Sequence, residues 1–492
     1  MKILMVYPNA PTTFWSLENT LKFIARKAVQ PPLGLLTIAS SLPDEWEKRL
    51  VDMNVSSLTD EQILWADYVF LSGMIINQQG FENVVARCNQ LGVKVVAGGP
   101  FATMRYEEIQ GVDHFILNEA EITLPLFLED LKNGRPKKVY KTDDHPSITE
   151  TPIPQWDLIE MKKYATMALQ YSRGCPYDCE FCNITALFGR RPRTKDTAQF
   201  LGELESLYRA GWRGSLFIVD DNFIGDKKKL KSDFLPALIE WSKSHGYPFI
   251  YSTEVSIELA DEVELMQLMI RAGFRMVFVG IETPVEESLA ECGKIQNRKR
   301  DMMESVKRMQ REGFDVTGGF IVGFDNDRLD VFDRQIRFIQ QSGIVTAMVG
   351  LLNAPRGTRL FKRLHSENRI TGTCRGDNVN IFINFIPKMN LLTLIEGYRN
   401  ILKTIYSQRE YFERIKTFLA EYQLPPEISP KAVKRRVRVF LKIMWKLGLI
   451  ERDKRYFWKL LLHVIHNCPQ KFGQAMQMAI YGFHFRKIVA EM

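Results

Sequence analysis

Ser172-Arg-Gly-Cys-Pro-Tyr-Asp-Cys-Glu-Phe-Cys-Asn183 sets three cysteines, Cys175, Cys179 and Cys182, at the spacing C-x₃-C-x₂-C, with the aromatic Phe181 before the last. Thiolate is the ligand that iron–sulfur clusters take. Three thiolates on one short loop hold three irons of a cubane and leave the fourth without a protein ligand. A small molecule can bind that open iron and receive an electron. A structural zinc site needs four protein ligands, and the nearest candidate for a fourth, His145, is thirty residues upstream. A disulfide framework fits poorly with seven cysteines in 492 residues, an odd and sparse count. The opening Met1-Lys-Ile-Leu-Met-Val-Tyr7 reads as a strand rather than a secretory signal. Cys88, Cys292, Cys374 and Cys468 read as buried free thiols.

With 45% hydrophobic and 25% charged residues, the chain has the composition of a soluble globular protein of roughly two to four domains. It has no run of about eighteen uncharged apolar residues, so no transmembrane helix is expected. The expected setting is a reducing cytoplasm. The net charge of +8 is uneven: residues 390–492 carry 19 Lys and Arg against 8 Asp and Glu, a balance of +11, which leaves −3 for the rest. An anionic membrane surface, an acidic substrate or nucleic acid suits such a region, and so do solvated helix faces.

Residues 1–140 alternate apolar strands (Lys2–Tyr7, Tyr68–Ser72, Val93–Ala97, Phe115–Leu117) with helices (Pro32–Leu42, Phe81–Leu91, Thr123–Asn133). That pattern predicts an α/β domain, a flavodoxin-like parallel sheet with ligands at the carboxyl ends of its strands. The proline-rich stretch Asp143-Asp-His-Pro-Ser-Ile-Thr-Glu-Thr-Pro-Ile-Pro154 reads as part of a linker over 141–167. Residues 168–388 resume the alternation with six strand candidates: Ala168–Tyr171, Ser215–Val219, Phe249–Ser252, Met276–Gly280, Val316–Val322 and Thr346–Leu351. Residues 389–492 read as a helical, basic, aromatic cap, with amphipathic helices over Lys434–Leu449 and Phe457–Ile465.

The cysteine spacing with its aromatic resembles the radical S-adenosylmethionine (SAM) enzymes. That resemblance implies a [4Fe–4S] cluster on Cys175, Cys179 and Cys182, with SAM chelating the open iron and its reductive cleavage giving a 5′-deoxyadenosyl radical. It also implies a partial (β/α)₆ barrel over 168–388. Motifs at the strand ends match the family. Val219-Asp-Asp-Asn-Phe223 offers Asp220 and Asp221 to the amino group of SAM, and Gly280-Ile-Glu282 and Ser252-Thr-Glu254 offer carboxylates to its ribose. Ile321 and Gly323, in Gly318-Gly-Phe-Ile-Val-Gly-Phe324, back the adenine, as does Pro355 in Pro355-Arg-Gly-Thr358. Tyr177 and Phe181 shield the cluster or pack on adenine. The residues alone leave plainer readings open: capped loops for the aspartates, idle exposure for Glu254, core packing for the aromatics. Arg190, Arg191 and Arg193 read either as an anion contact or as a solvated loop.

The loops of the first sheet resemble the cobalamin-binding domain of one branch of that family. Pro8 and Asn9, Ser72, Met74 and Asn77, Gly98, Gly99 and Pro100, and Glu119 and Glu121 are its implied contacts. The base-on motif Asp-x-His-x-x-Gly is absent, and Asn118-Glu-Ala-Glu121 lacks both glycines of the family's Gly-Glu-Gly-Glu. The tail Met478-Ala-Ile-Tyr-Gly-Phe-His-Phe-Arg486 is similar to the subgroup of hopanoid C-2 and bacteriochlorophyllide side-chain methyltransferases. The reading is therefore a cobalamin-dependent radical SAM C-methyltransferase acting on an unactivated carbon of a large apolar small molecule. Its implied partner is an external electron donor such as flavodoxin or ferredoxin, and its basic C-terminal region offers a peripheral membrane contact. Nucleic acid is not the expected partner. A radical cyclase uses the same motifs. A methylthiotransferase needs a second cysteine cluster, which the sequence lacks. A non-catalytic corrinoid or nucleic-acid module predicts no SAM cleavage and salt-sensitive binding.

Overall fold

The computed structural model describes residues 1–376, 381–425, 439–451 and 453–492. Its first sheet holds β1 (Lys2–Tyr7), β2 (Glu47–Asp52), β3 (Tyr68–Ser72), β4 (Lys94–Gly98), β5 (His114–Ile116) and β6 (Val139–Tyr140), all parallel, in the order β2-β1-β3-β4-β5-β6. Four residues of β1, Ile3 to Val6, are fully buried. Leu4 and Val6 join one apolar cluster, and Ile3 and Met5 the one on the opposite face. Each such side chain contributes about 1.5–3 kcal/mol of burial. That two-faced burial is why the strand reads as an unbroken apolar run. Sequence reasoning missed β2 and β6. In Glu47-Lys-Arg-Leu-Val-Asp52 only the last two residues are buried, as suits a charged edge strand.

The second sheet is an open barrel of β7 (Met167–Leu169), β10 (Gly214–Ile218), β11 (Phe249–Val255), β12 (Phe274–Glu282), β13 (Asp315–Val322) and β14 (Ala347–Leu351). These six strands are parallel and pair in chain order. Each expected strand is found, with its bounds moved by at most three residues. A two-stranded ribbon, β8 (Ser172–Arg173) with β9 (Arg193–Thr194), closes the ends of the cysteine loop. Along β12, Val277, Val279 and Ile281 are fully buried beneath the outer helices. Phe278 and Gly280 alternate with them toward the lumen.

The C-terminal region is helical, with helices Leu391–Ile405, Gln408–Glu421, Lys454–Asn467 and Phe472–Glu491 and a helix over 439–450. Residues 434–438 of the expected helix Lys434–Leu449 lie outside the described residues. One apolar cluster runs across all the units: Phe14, Phe23 and Leu36 of the first, the barrel strands, and Phe483 and Phe485 of the tail. Phe14 stacks on Phe485 at 4.2 Å, so the tail helix locks the first domain to the barrel.

Candidate active site

The cysteine loop lies at the carboxyl ends of the barrel strands. Gly174, at φ 88°, turns the chain into it, and a Cβ there would press on three backbone carbonyls. Cys182 N donates to Cys179 O at 3.0 Å and Glu180 N to Cys292 O at 2.8 Å. Arg363 clamps Glu180 from the helix Arg359–Ser366, with Nε 2.7 Å from Oε1. Among the described residues, no group of three or more His, Cys, Asp or Glu is close enough to hold a single metal ion. A cubane asks for less crowding, because its three thiolates bind separate corners. Burial pushes the Cys175 thiol up to about 11 and Cys182 up to about 12, and raises Cys179. Cys179 adds to the rise of Cys175 and Cys182, Glu282 to that of Cys179, and Lys294 opposes all three. Buried thiols of this kind ionise against a cation, which cluster irons supply.

Beside the cysteines stands a polar tier on the lumen side. Glu282 has φ 62°, a left-handed conformation at a non-glycine residue, and a register shift separates it from Gly280. Such strain gathers at functional sites. Its Oε1 lies 2.7 Å from Lys294 Nζ, and a Cβ on Gly280 would overlap both groups. Burial alone would pull the Lys294 ammonium down, but Glu282 and Cys179 outweigh it and leave it raised. Gln296 Nε2 reaches Cys179 Sγ at 3.9 Å. Lys294 and Gln296 were missed in the sequence. Their only signal is a place soon after Gly280-Ile-Glu282.

The two aspartates divide their roles. Asp220 is fully buried and accepts from Tyr171 N at 2.8 Å and Ser172 Oγ at 2.6 Å, so it braces β10 against the chain leaving β7 instead of facing a ligand. Asp221 Oδ2 has no partner. Burial and the neighbouring Asp220 push Asp221 up to about 7, and burial with Asp221 pushes Glu254 up to about 8. Two buried carboxyls, one with an unpartnered oxygen, beside the cysteine loop fit a ligand bearing an amino group and ribose hydroxyls. Phe181 packs 6.2 Å from Phe324, and both Phe181 and Ile321 border the cluster of Phe324, Leu352 and Ala354. Gly323, at φ 108°, gives its N–H to Asp327 at 2.8 Å. Thr358 caps the following helix and donates to Pro355 O at 2.6 Å. Tyr177 departs from the expectation. Its hydroxyl donates to Glu258, and its ring lines an outer cavity of about 370 Å³ with Asn222 and Lys227.

The loops of the first sheet converge. Asn77 Nδ2 donates to Pro8 O at 2.9 Å, and Phe101 N to Gly73 O at 3.0 Å. Asn9 crowds Gly80, where a Cβ would lie 2.7 Å from its carbonyl. Gly98 has Ile116 O 2.9 Å from its Cβ position, and Gly99, at φ 82°, would drive a Cβ into Ser72 Oγ. Pro100 sits in the first turn of the helix Gly99–Arg105. Met74 is 56% exposed at the loop tip. This glycine floor with an apolar tip fits a flat macrocycle. Asn118 holds φ 62°, which explains why a left-handed asparagine can stand where the family has glycine.

Glu119 and Glu121 do something else. Glu119 Oε1 meets His145 Nδ1 at 3.1 Å and Arg193 Nη2 at 2.7 Å, and Oε2 meets Arg173 Nη1 at 2.8 Å. Glu121 takes the other Arg173 nitrogen at 2.8 Å. Both carboxylates therefore tie the first sheet to the ribbon flanking the cysteines. Arg193 belongs to this tie; Arg190 and Arg191 are exposed. The two halves also touch at Asn183, whose Nδ2 is 3.4 Å from Met104 Sδ, and at Arg356, 2.7 Å from Glu108.

Trp15, also missed in the sequence, projects from the first domain onto the lumen. Its ring meets Phe278 edge-on at 5.5 Å, and its indole N–H points at Met348 Sδ, 2.8 Å away. Phe278 lies four residues before Glu282 on the same side of β12, so an apolar tier underlies the polar one.

Comparison with known proteins agrees with this geometry. Residues 23–128 match the B12 binding domain, 169–339 the Radical SAM superfamily and 358–492 a domain of unknown function. An uncharacterized methyltransferase of Synechocystis sp. is 40% identical over 100% of this chain and 93% of its own length. The hopanoid C-2 methylase of Rhodopseudomonas palustris is 33% identical over 94% of this chain and 89% of its own.

This chain belongs to the cobalamin-dependent radical SAM methyltransferases.

Its fold matches the solved cobalamin-dependent radical enzyme OxsB, with a TM-score of 0.62 at 16% identity, covering 100% of this chain and 81% of that one. It also matches the methyltransferase TsrM of Kitasatospora setae, with a TM-score of 0.59 at 13% identity, covering 100% and 99%. The cofactors of this methyltransferase are a [4Fe–4S] cluster, SAM and cobalamin. Bound together, they supply a hydrogen-abstracting radical and a transferable methyl group. Within the chain, the Glu119 tie and the Asn183–Met104 contact join the first sheet to the ribbon and loop of the cysteines.

Proposed function

We propose that this methyltransferase methylates an unactivated carbon of a large, apolar, polycyclic substrate of the hopanoid type. One observation carries the reading: the apolar tier of Trp15, Phe278 and Met348 lies beneath the polar tier of Glu282 and Lys294. A hydrocarbon framework seats on the first while a cofactor's polar groups occupy the second. The likeness to hopanoid C-2 methylase, 33% identical over 94% of this chain, supports it. The bacteriochlorophyllide d C-12(1)-methyltransferase of Chlorobaculum tepidum is 23% identical over 84% of this chain, which makes a chlorin the second substrate to test. We further propose that Asp221 and Glu254 hold SAM, and that the β1, β3 and β4 loops hold the corrin. The electron donor is acidic and approaches past Arg190 and Arg359, whose side chains are 64% and 54% exposed beside the cysteine loop. The setting is a reducing cytoplasm.

The test is anaerobic reconstitution with methyl-labelled SAM, cobalamin and a reductant, supplied with a hopanoid or with a bacteriochlorophyllide. The expected result is deoxyadenosine together with labelled hopanoid, both lost in Cys179→Ala while corrin absorbance persists. Deoxyadenosine without labelled product from either substrate overturns the substrate reading.

A further inference from the structure

Among the described residues, seven of the exposed large apolar side chains fall within 441–465. They lie on a hairpin formed by the helix over 439–450 and the helix Lys454–Asn467. The hairpin's inner face is committed. Ile443 and Leu447, with Phe457, Leu460 and Val464, are buried in the C-terminal region, where Lys454–Asn467 packs on the helices Gln408–Glu421 and Phe472–Glu491. Its outer face is apolar as well. Leu441, Trp445 and Leu449 recur every fourth residue and are 62%, 62% and 55% exposed. Trp458, Leu462 and Ile465 form the matching stripe on the second helix, at 37%, 55% and 50%. The two stripes adjoin, because Trp458 Nε1 donates to Gly448 O at 2.9 Å. The face is thus one continuous patch, and proteins that stay in water seldom leave such patches bare.

The charge around the patch points to what covers it. Lys442, Lys446, Lys454, Arg455 and Lys459 stand on the same two helices and their turn, against Glu451 and Asp453. None of these five cations is ion-paired with a described residue; Lys454 Nζ instead donates to Leu449 O at 3.3 Å. Tryptophan and leucine on one face with lysine and arginine at its edge suit the plane of lipid headgroups. The rings sit at the interface and the ammonium groups meet phosphates. Among the described residues, no helix is long and apolar enough to cross a membrane. A second copy of the chain is a poorer occupant, since a two-fold contact through this face sets like cations against one another.

We propose that this hairpin docks the methyltransferase on an anionic bilayer surface, with Trp445 and Trp458 at headgroup level and no span. The inference goes beyond the methyl-transfer reading and does not rest on it, because docking is read without turnover. Together the two give an apolar substrate a route from the bilayer into the enzyme without passing through bulk water.

The test is flotation of the full chain with phosphatidylcholine vesicles, with and without phosphatidylglycerol, alongside sedimentation velocity without vesicles. The expected result is binding to phosphatidylglycerol vesicles that weakens by about tenfold or more in high salt. Leu449→Glu with Leu462→Glu abolishes it. Lys454→Glu with Lys459→Glu keeps the apolar patch and removes the preference for anionic lipid. All four positions are exposed, so both variants should match the parent in thermal melting, which is measured alongside. The proposal is overturned if the parent ignores both vesicle types, or binds them equally. A concentration-dependent dimer that Leu449→Glu dissociates overturns it as well.

Discussion

Lys294 shows how one side chain serves several charges. It faces Glu282 and the cysteine thiols from a position where its own side chain is only 12% exposed and that of Glu282 9%. Removing one member of such a buried pair leaves the other charge without a partner, whereas removing both costs far less. Lys294→Met should lower the stability of the chain by about 3 kcal/mol, and adding Glu282→Gln should recover part of that loss. Urea midpoints of the two variants check this. Equal losses in the single and the double variant would mean that the pair is not energetically linked. Trp15 calls for a different readout. Trp15→Ala should raise KM for an apolar substrate while leaving substrate-free SAM cleavage at its parental rate. A fall in both would place Trp15 in the general architecture, not in the substrate site.

The helix Arg359–Ser366 and the loop after β13 are joined by a compact ion network. Asp325 takes Arg369 at 2.6 Å and Arg363 at 2.8 Å, and its side chain is 6% exposed. Burial alone would raise its carboxyl, but hydrogen bonds from Arg369 and Arg363 outweigh it and hold it down at about 2. The folded state therefore binds this proton less readily than the unfolded chain, whose value is near 3.8. The stabilisation is fully present above about pH 4 and is lost as pH falls toward 2. It is worth about 2 kcal/mol at neutral pH. Acid titration of stability should show this loss in the parent and a flatter profile in Asp325→Asn. Because the network also holds Glu180, next to Cys179, its loss should loosen the cysteine loop.

The two halves of the methyltransferase are tied by charge at the Glu119 cluster and at Arg356–Glu108, and by aromatic packing at Phe14–Phe485. Glu119 meets Arg173, Arg193 and His145 at once, from a side chain 1% exposed. Glu119→Ala removes a buried carboxylate from Arg173, which keeps Glu121, and from Arg193, which keeps the Pro146 and Phe188 carbonyls, and should cost about 2 kcal/mol. Its distinctive signature is a loss of cooperativity, with the first sheet exchanging amide hydrogens ahead of the barrel. Uniform exchange across both halves would show that the remaining contacts, Phe14–Phe485 and Arg356–Glu108 among them, suffice to join them. Because the Glu119 tie joins the first sheet to the ribbon flanking the cysteines, the same variant should uncouple methyl transfer from SAM cleavage.

The cysteine spacing, the apolar strand runs and the strand-end motifs were legible from the sequence, because each rests on local periodicity or on residues a few positions apart. They gave the parallel sheets, the cysteine loop beside the barrel and the glycines at the β3 and β4 loops. The charged edge strand β2 was not legible, because half of it faces solvent and carries no apolar alternation. Nor could adjacent residues with equal chemistry be told apart. Asp220 and Asp221 read alike in the chain, yet one is spent on Tyr171 and Ser172 while the other keeps an oxygen without a partner. Glu119 and Glu121 read as ligand contacts until the fold brought arginines from the ribbon beside the cysteines against them. Trp15, Lys294 and the hairpin's outer face acquire meaning only from neighbours far away in sequence. Local sequence determined which chemistry the chain carries. Tertiary packing decided which side chains remain free to use it, because only the folded chain sets which charges neutralise one another and which apolar faces stay uncovered.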